Sequence, residues 1–260
     1  MDITAHHYNT IRLQEQRGAV FLQIYRPEAN NSINALLVEE ILLVLKQLEA
    51  DPAIKVVVLE GYAGHFCTGM DFRAVSESGA DIMFGDDPNG YYNMLKHFLS
   101  CSKTIISKVE GKVNAGGIGL VAASDIVIAD EKATFGLSEA LFGLLPACVM
   151  PFLVRRVGFQ KAQWMTLLTQ PISAQRAYEI GLVDEISDNV NDTVRRNLLR
   201  LARLETSTIK ELKEYMMQLW YMDEQTQKLA VDKLTSLVNS ESVQTNIKNF
   251  IQNGKFPWDK

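Results

Sequence analysis

The sequence predicts an α/β fold with a helical C-terminal region, and three observations lead to this. The runs "GAVFLQIYRP" and "IKVVVLEG" are rich in β-branched and aromatic residues, as strands are, and the second is almost wholly apolar, as in a strand buried on both faces. Helical patterns alternate with such runs, which is typical of a largely parallel sheet. From about Pro151 onward, the patterns are helical.

The first strand–helix–strand unit covers residues 18–61. Its first strand stops at Pro27, because proline removes a donor from a sheet. The helix that follows ends at Asp51-Pro52, and the next strand ends at Gly61. The apolar residues of this helix recur at spacings of three and four: Leu36, Leu37, Ile41, Val44, Leu45 and Leu48.

The pattern then repeats. "KTIISKVEG", "IVIAD" and "ATFG" read as strands, and "GGIGLVAASD" reads as a helix, with Asp125 as a structural hydrogen-bonding residue where helix gives way to strand. Residues 72–92 lack periodicity and predict a mobile loop. We therefore expect two domains, an α/β core at residues 1–195 and a helical region at residues 196–260.

Composition excludes several classes of function. The net charge of −5 and the scattered lysines and arginines argue against a nucleic-acid-binding face. The three cysteines form no CxxC pair, which argues against a zinc site and a disulfide framework and favours reduced thiols. No apolar run reaches the roughly 18 residues of a membrane span, and the N-terminus does not read as a signal peptide. We expect a cytoplasmic protein.

Two glycine-containing loops, "GHFCTGMDF" (64–72) and "NAGGIGL" (114–120), each follow a predicted strand. Glycine lets backbone N–H groups approach a ligand closely, and a helix N-terminus adds unpaired N–H groups. Two such groups could form an oxyanion hole for a thioester enolate. The alternative is that the glycines serve only tight turns and packing. A dinucleotide-binding GxGxxG and a phosphate-binding GK[ST] are both absent.

Glu139 stands among apolar neighbours in "FGLSEALFG". A carboxylate there is either a hydrogen-bonded structural group or a group whose raised pKa suits proton transfer.

Several of these segments together resemble the crotonase (enoyl-CoA hydratase/isomerase) superfamily. They are "RPEANNSINALL", "GHFCTGMDF", "VEGKVNAGGIGLVAASDIVIADEKATFGLSEALFGLLPA" and "ISAQRAYEIGLVDEI", in the order and spacing of that family. The resemblance implies a crotonase (ClpP-like) fold with a repeated ββα core and a C-terminal region that packs within trimers. It also implies an acyl-thioester site in the core, with the acyl group on a phosphopantetheine arm and no metal or redox cofactor.

Carried over by motif, the oxyanion donors are the N–H groups of Met70 in "CTGMD" and Gly116 in "AGGIG", and Glu139 is the catalytic residue. Nearness to the two loops in sequence adds candidates for substrate binding, which are Asp71, Arg73, Asn114 and Gly117, and for a distal carboxylate also Lys112 and Tyr91 or Tyr92. For Asp71 the alternative is a structural role in holding its loop.

The chain departs from the family pattern at one position. Hydratases of the family usually carry two glutamates, in "GGGxEL" and "FGxPE"; here the first motif reads "GGIGL", with Gly119 in place of the glutamate, and the second, "FGLSE", keeps Glu139. A single carboxylate can still remove an α-proton and then protonate a departing hydroxyl.

A narrower resemblance rests on "RPEANNSIN", "GKVNAGG", "SEALFGLLPACVMPFLVRRVG" and "GKFPW". These segments are similar to the dehydratases of polyketide β-branching cassettes. The resemblance implies dehydration of 3-hydroxy-3-methylglutaryl-acyl carrier protein to 3-methylglutaconyl-acyl carrier protein. It implies as partners the acyl carrier protein and a sister crotonase that decarboxylates the product, and a homotrimer or hexamer.

Two alternatives stay open from the sequence. One is a generic enoyl-CoA hydratase or isomerase, since the phosphopantetheine arm is common to coenzyme A and carrier proteins. The other is a non-catalytic, carrier-protein-binding module that keeps the fold, against which the retained Glu139 argues.

Overall fold

Ten strands build two sheets in the computed structural model, which describes residues 7–71, 87–220 and 222–259. In chain order the strands of these segments are β1 (Ile11–Gln16), β2 (Ala19–Ile24), β3 (Val56–Glu60), β4 (His65–Cys67), β5 (Thr104–Val109), β6 (Lys112–Asn114), β7 (Ile126–Asp130), β8 (Thr134–Gly136), β9 (Ile172–Ser173) and β10 (Glu185–Ser187). The main sheet has the order β1-β2-β3-β5-β7-β10, and the smaller one β4-β6-β8-β9.

The chain alternates between the two sheets from β3 to β8. Odd-numbered strands of this stretch enter the main sheet and even-numbered strands enter the smaller one. Neighbouring strands are parallel, except that β1 runs antiparallel to β2 and β9 antiparallel to β8. This is the repeated ββα arrangement of the crotonase fold, so the predicted fold class is confirmed.

Ten helices surround the sheets in the described segments, and their bounds are α1 (Ala35–Glu49), α2 (Gly90–Ser100), α3 (Gly116–Ala123), α4 (Met150–Val157), α5 (Phe159–Leu168), α6 (Ala174–Glu179), α7 (Val190–Leu201), α8 (Thr206–Gln218), α9 (Glu224–Val238) and α10 (Glu241–Asn253). The same described segments contain two short 3₁₀ helices, at Pro27–Ala29 and Glu139–Phe142. The second carries the candidate catalytic residue.

The central strands β3 and β5 of the main sheet are buried on both faces, which explains their continuous apolar sequences. Along β3, Val57 and Leu59 enter the large core beneath α1, α2 and α3. Val56 and Val58 point the other way and pack with Val194 of α7. Successive side chains of a strand alternate between faces, so one apolar run serves two cores.

A third apolar cluster joins the 3₁₀ helix Glu139–Phe142 to the C-terminal helix α10. Phe142 packs with Val243 and Ile247 of that helix. Its ring lies 5.1 Å from the ring of Phe250, centroid to centroid. The Asn246 Nδ2 donates to the Phe142 carbonyl at 3.2 Å. The segment that bears Glu139 therefore packs against α10, a helix that is distant from it in sequence.

The structure bears on two predictions about the organisation of the chain, the loop 72–92 and the domain boundary at 195/196. The predicted loop 72–92 is too long, because α2 begins at Gly90, and its buried face includes Tyr91 and Tyr92; residues 72–86 of that loop lie outside the described segments. The predicted domain boundary at 195/196 falls inside α7, which packs on the main sheet through Val190 and Val194 and, in part, Leu198. The division into two domains stays a prediction.

Candidate active site

Glu139 is the first residue of its 3₁₀ helix, three residues after the end of β8. Its side chain is buried, and its Oε2 has no hydrogen-bond partner within the described segments. Burial raises the pKa of Glu139 from 4.5 to about 7, while the backbone N–H groups of Ser138 and Glu139 itself oppose that shift. A carboxyl group with a pKa near neutrality can both accept and return a proton.

Glu139 lines a mostly apolar cavity. The cavity is lined by Met70, Tyr91, Ala115, Gly116, Glu139, Leu144, Leu145, Pro146, Ala147, Cys148, Val149 and Leu234. Three of these are the residues that the sequence motifs singled out for catalysis. Glu139 is the one carboxylate in this lining, which covers only the described part of the chain.

Met70 is held as an extended residue beside Ile33, with which it forms a parallel bridge. The Ile33 N–H donates to the Gly69 carbonyl at 2.7 Å, and the Asp71 N–H donates to the Ile33 carbonyl at 2.9 Å. The Met70 N–H shares a peptide group with the Gly69 carbonyl. Because the C=O and N–H of a trans peptide point in opposite directions, the Met70 N–H points away from Ile33. That orientation leaves it available to a ligand on the other side.

Gly116 is the first residue of α3, so its N–H has no partner within the helix. The preceding residue, Ala115, has φ +49° and ψ −122°, a conformation that L-residues rarely adopt. Such a residue costs about 1–3 kcal/mol and persists only where its surroundings enforce it. Here the Ala115 N–H donates to the Gly136 carbonyl at 3.0 Å, which ties this turn to β8.

The two loops lie in direct contact. A Cβ placed on Gly69 would lie 3.3 Å from the Gly116 nitrogen and only 2.6 Å from the Ala115 Cβ. Gly69 also has φ +91°, where a side chain is strained. Glycine at this position lets the Met70 loop approach the start of α3, so residues of two separate loops, Met70 and Gly116, line one cavity.

Asp71, Asn114 and Gly117, which were also predicted to bind substrate, are not among the residues that line the cavity. Asp71 forms an ion pair with Arg26 at 3.0 Å. The Asn114 Nδ2 donates to the Ser138 Oγ at 2.8 Å, next to Glu139. A Cβ on Gly117 would lie 2.5 Å from the Cys67 carbonyl oxygen, so this glycine lets α3 pack on β4.

These three residues hold the two loops and the Glu139 turn in place, and a direct contact of any of them with substrate stays a prediction. Arg73 lies outside the described residues, so its role in substrate binding stays a prediction. Of the candidates for a distal carboxylate, Tyr91 lines the cavity. Tyr92 is buried elsewhere, its ring against Phe152 at 5.1 Å.

The wall of the cavity formed by residues 144–149 was not predicted, although the segment "LLPACV" follows the Glu139 turn directly. Its proline and small residues gave no periodic signal that could place it. The thiol of Cys148 in this wall has its pKa raised to about 12 by burial, so it is protonated near neutral pH. A buried, protonated thiol of this kind fits a structural role for Cys148.

A membrane-spanning helix or a metal-binding cluster would point to another class of site. No helix in them is long and apolar enough to span a bilayer. No group of three or more His, Cys, Asp or Glu side chains in them is arranged to bind a metal ion.

Similarity to known proteins places this site in a family. Residues 14–260 match the family model described as enoyl-CoA hydratase/isomerase. The chain is 41% identical over 255 residues to the bacillaene synthase dehydratase PksH of Bacillus subtilis (strain 168), covering 97% of each chain. It is 31% identical over 192 residues to the 1,2-epoxyphenylacetyl-CoA isomerase of Escherichia coli (strain K12), covering 72% of each.

A solved structure agrees with the sequence relatives. The crystal structure of the polyketide biosynthesis enoyl-CoA hydratase pksH from Bacillus subtilis superposes with a TM-score of 0.91 at 40% identity, covering 96% of this chain and 100% of that one. The expectation of an enzyme, a lyase of the hydratase family, is thereby confirmed. The chain belongs to the enoyl-CoA hydratase/isomerase family, the crotonases.

Proposed function

We propose that the protein dehydrates a 3-hydroxy-3-methylglutaryl group on an acyl carrier protein to the 3-methylglutaconyl group. One observation carries this proposal, which is the buried Glu139 side chain in the lining of a cavity that Met70 and Gly116 also line, with a pKa of about 7 and an Oε2 that has no hydrogen-bond partner in the described segments. The name of the 41% identical relative, a dehydratase of bacillaene synthase, supports the choice of reaction.

In the first step, the thioester carbonyl accepts hydrogen bonds from the N–H groups of Met70 and Gly116. Glu139 takes a proton from the α-carbon, and the electron pair of that C–H bond moves onto the carbonyl oxygen to give an enolate. Each such donor is worth about 100- to 1000-fold in rate in comparable sites. The contact between the two loops supports a fixed distance between the donors.

In the second step, the enolate electrons return to form the Cα–Cβ double bond as the C–O bond at C3 breaks. The proton that Glu139 holds goes to the departing hydroxyl, which leaves as water. The carboxylate is then regenerated, so one residue serves as base and acid in turn. A pKa near 7 favours both roles because neither protonation state is strongly disfavoured.

Family members that hydrate enoyl thioesters usually hold water between two carboxylates, and Gly119 leaves only one here. A single carboxylate suits elimination, because the oxygen that leaves is already the C3 hydroxyl of the substrate and the enzyme does not have to position a water molecule. The apolar lining of residues 144–149 excludes bulk water from the enolate and strengthens the hydrogen bonds to it.

Double-bond isomerisation of an acyl-CoA is the second candidate. A single carboxylate can move a proton from one carbon to another, and an isomerase is among the relatives at 31% identity. The two reactions differ in the change of mass, since isomerisation conserves it and dehydration removes one water.

We further propose the carriers and partners that this reaction requires. The acyl group enters on a phosphopantetheine arm, with no metal or redox cofactor, and a sister crotonase decarboxylates the product. A homotrimer or hexamer is supported by apolar side chains of α8 that are half exposed or more, Leu212 at 58%, Tyr215 at 58% and Met216 at 50%. Burying them between subunits would remove apolar area from water.

The test is mass spectrometry of 3-hydroxy-3-methylglutaryl-acyl carrier protein after incubation with the enzyme. We expect the loss of one water from the loaded arm, and no loss with the Glu139→Gln variant. An additional loss of carbon dioxide would reassign the protein as a decarboxylase. No change of mass, together with turnover of crotonyl-CoA, would reassign it as a general hydratase, and inactivity in both assays would favour a binding module.

A further inference from the structure

Tyr91 is a buried residue of the cavity that the reaction above does not use. It belongs to the first turn of α2, is 6% exposed, and lines the same cavity as Glu139 and Gly116. Its hydroxyl donates to the Gly116 carbonyl at 2.5 Å. The phenol is thus fixed against the residue whose N–H is the proposed oxyanion donor.

The position of this hydroxyl depends on a missing side chain. A Cβ placed on Gly119 would lie 2.1 Å from the Tyr91 Oη and 3.2 Å from its Cζ. No real side chain can approach an oxygen so closely, so any residue larger than glycine at 119 would displace the phenol. The phenol of Tyr91 and the bare backbone of Gly119 therefore form one arrangement, in which a phenol oxygen lies beside the start of α3.

The hydrogen-bonding capacity of this phenol is defined. A phenol has one proton to donate, and Tyr91 gives it to the Gly116 carbonyl. Burial, with the nearby Cys67, Cys148 and Glu139, raises the pKa of Tyr91 well above its usual value, so the proton stays on the oxygen. What remains is lone-pair capacity, which a hydrogen-bond donor on a ligand can use.

We propose that Tyr91 recognises the C3 hydroxyl of a 3-hydroxyacyl thioester by accepting a hydrogen bond from it. This rests on the proposed function and specifies how the substrate is selected. With its hydrogen directed to Tyr91, the hydroxyl has a lone pair free for the proton that Glu139 delivers. A saturated or unsaturated acyl group without the hydroxyl has nothing to donate and gains nothing from Tyr91.

The test compares two ligands that differ only in the hydroxyl, 3-hydroxy-3-methylglutaryl-CoA and 3-methylglutaryl-CoA. Their dissociation constants are measured by calorimetry on the full-length Glu139→Gln protein, which does not turn them over, and on the same protein with Tyr91→Phe added. We expect Tyr91→Phe to weaken the hydroxylated ligand about 5- to 10-fold, the worth of one neutral hydrogen bond, and to leave the other ligand unchanged.

Equal weakening of both ligands would overturn the proposal, because it would mean that Tyr91 acts only through the Gly116 backbone. No weakening of either would also overturn it. Tyr92→Phe is the matched control, since Tyr92 is the next residue of α2 and its hydroxyl has no hydrogen-bond partner in the described segments. This control should leave both affinities unchanged.

A second variant, Gly119→Ala, tests the proposal independently in case Tyr91→Phe does not fold. Gly119→Ala should reproduce the selective loss, because its Cβ would displace the Tyr91 hydroxyl, and it should add little once Tyr91→Phe is present. Additive losses from the two changes would contradict the proposed arrangement.

The same measurements with 3-hydroxybutyryl-CoA and butyryl-CoA separate the two proposals. In one outcome, neither methylglutaryl ligand binds, and Tyr91→Phe weakens the binding of 3-hydroxybutyryl-CoA but not of butyryl-CoA. Tyr91 would then keep its proposed role, and the substrate named in the proposed function would be wrong. If no 3-hydroxyacyl ligand of either pair binds in preference to its partner, the role of Tyr91 is wrong.

Discussion

Two carboxylates, Glu139 and Asp125, differ in how their charge is compensated. Burial raises the pKa of both. The Asp125 Oδ2 accepts from the Ile105 N–H at 2.7 Å and pairs with the Lys213 ammonium at 2.6 Å. That ammonium also donates to the carbonyls of Phe98 and Lys103, at 2.8 and 2.6 Å. The pKa of Glu139 is set by burial and by backbone N–H groups, and its Oε2 is unpartnered in the described segments.

The difference separates a structural group from one available for chemistry. Asp125 joins the end of α3 to β5 and to the helical region through Lys213, and each of its bonds stabilises the folded state. Buried polar groups are almost always paired in folded proteins, so an unpaired carboxylate oxygen on a residue that lines a cavity is a candidate for a hydrogen-bond partner on the ligand. Matched amide substitutions at the two positions should therefore have opposite effects.

The largest effect is expected on catalysis. Glu139→Gln should lower kcat/KM for dehydration by at least about 1000-fold, since the amide can neither take nor return a proton, and proton transfer combined with its positioning contributes on this scale. Mass-spectrometric rate measurements on the loaded carrier protein check this. A variant that keeps more than a tenth of the activity would remove Glu139 from the mechanism.

The next effect is on stability as a function of pH. Glu139 has a folded-state pKa of about 7 against an ordinary 4.5, so the wild type loses stability as the pH rises from about 4.5 to about 7, and Glu139→Gln does not. The difference in free energy of unfolding between the two proteins should change by up to about 3 kcal/mol in favour of the variant over that window. Urea unfolding at pH 4.5, 6 and 8 measures it, and a flat difference would show that Glu139 is not desolvated.

Asp125→Asn should lower the stability of the fold and leave catalysis almost unchanged, the reverse of what we expect for Glu139→Gln. It leaves the Lys213 ammonium buried without its counter-charge, which should destabilise the fold by about 2 kcal/mol while the kcat of the folded protein changes less than about twofold. Chemical denaturation and the dehydration assay at a temperature well below unfolding check both halves. Loss of activity without loss of stability would mean that Asp125 belongs to the site.

The smallest effect is expected at the thiols. Burial raises the pKa of Cys67 and of Cys148 to about 12, and it also raises that of Cys101. At pH 8, a disulfide reagent should label the native protein slowly and with no loss of activity in the first minutes, whereas unfolding in guanidinium should expose all three thiols. Fast labelling of Cys148 with inactivation would show that the cavity admits reagents.

The sequence predicted the buried parts of the fold better than the exposed ones. β3 and β5 read as continuous apolar runs because helices cover both faces of the main sheet. β1, "IRLQEQ", went unnoticed because most of it is partly or fully exposed and polar. β4 and β6 have three residues each, too few to show any periodicity.

The site was predictable where a local motif defines it. Met70, Gly116 and Glu139 each belong to a short segment of recognisable composition, and all three line one cavity. The placement of Tyr91 could not be predicted, because its hydroxyl takes the space left by Gly119 only after α2 packs on α3. Absence of a side chain is visible in a sequence, but the atom that fills the space is known only in three dimensions.

The contact between Phe142 and α10 has a consequence for how the enzyme is made. The Asn246 side chain that holds the Phe142 carbonyl lies 104 residues further along the chain. At about 5–20 residues per second, a ribosome needs roughly 5 to 20 seconds to add such a length. During that interval, the nascent chain already contains Glu139 but lacks the helix that packs against the turn around it. We therefore expect this turn to take its final position only after α10 has left the ribosome and docked.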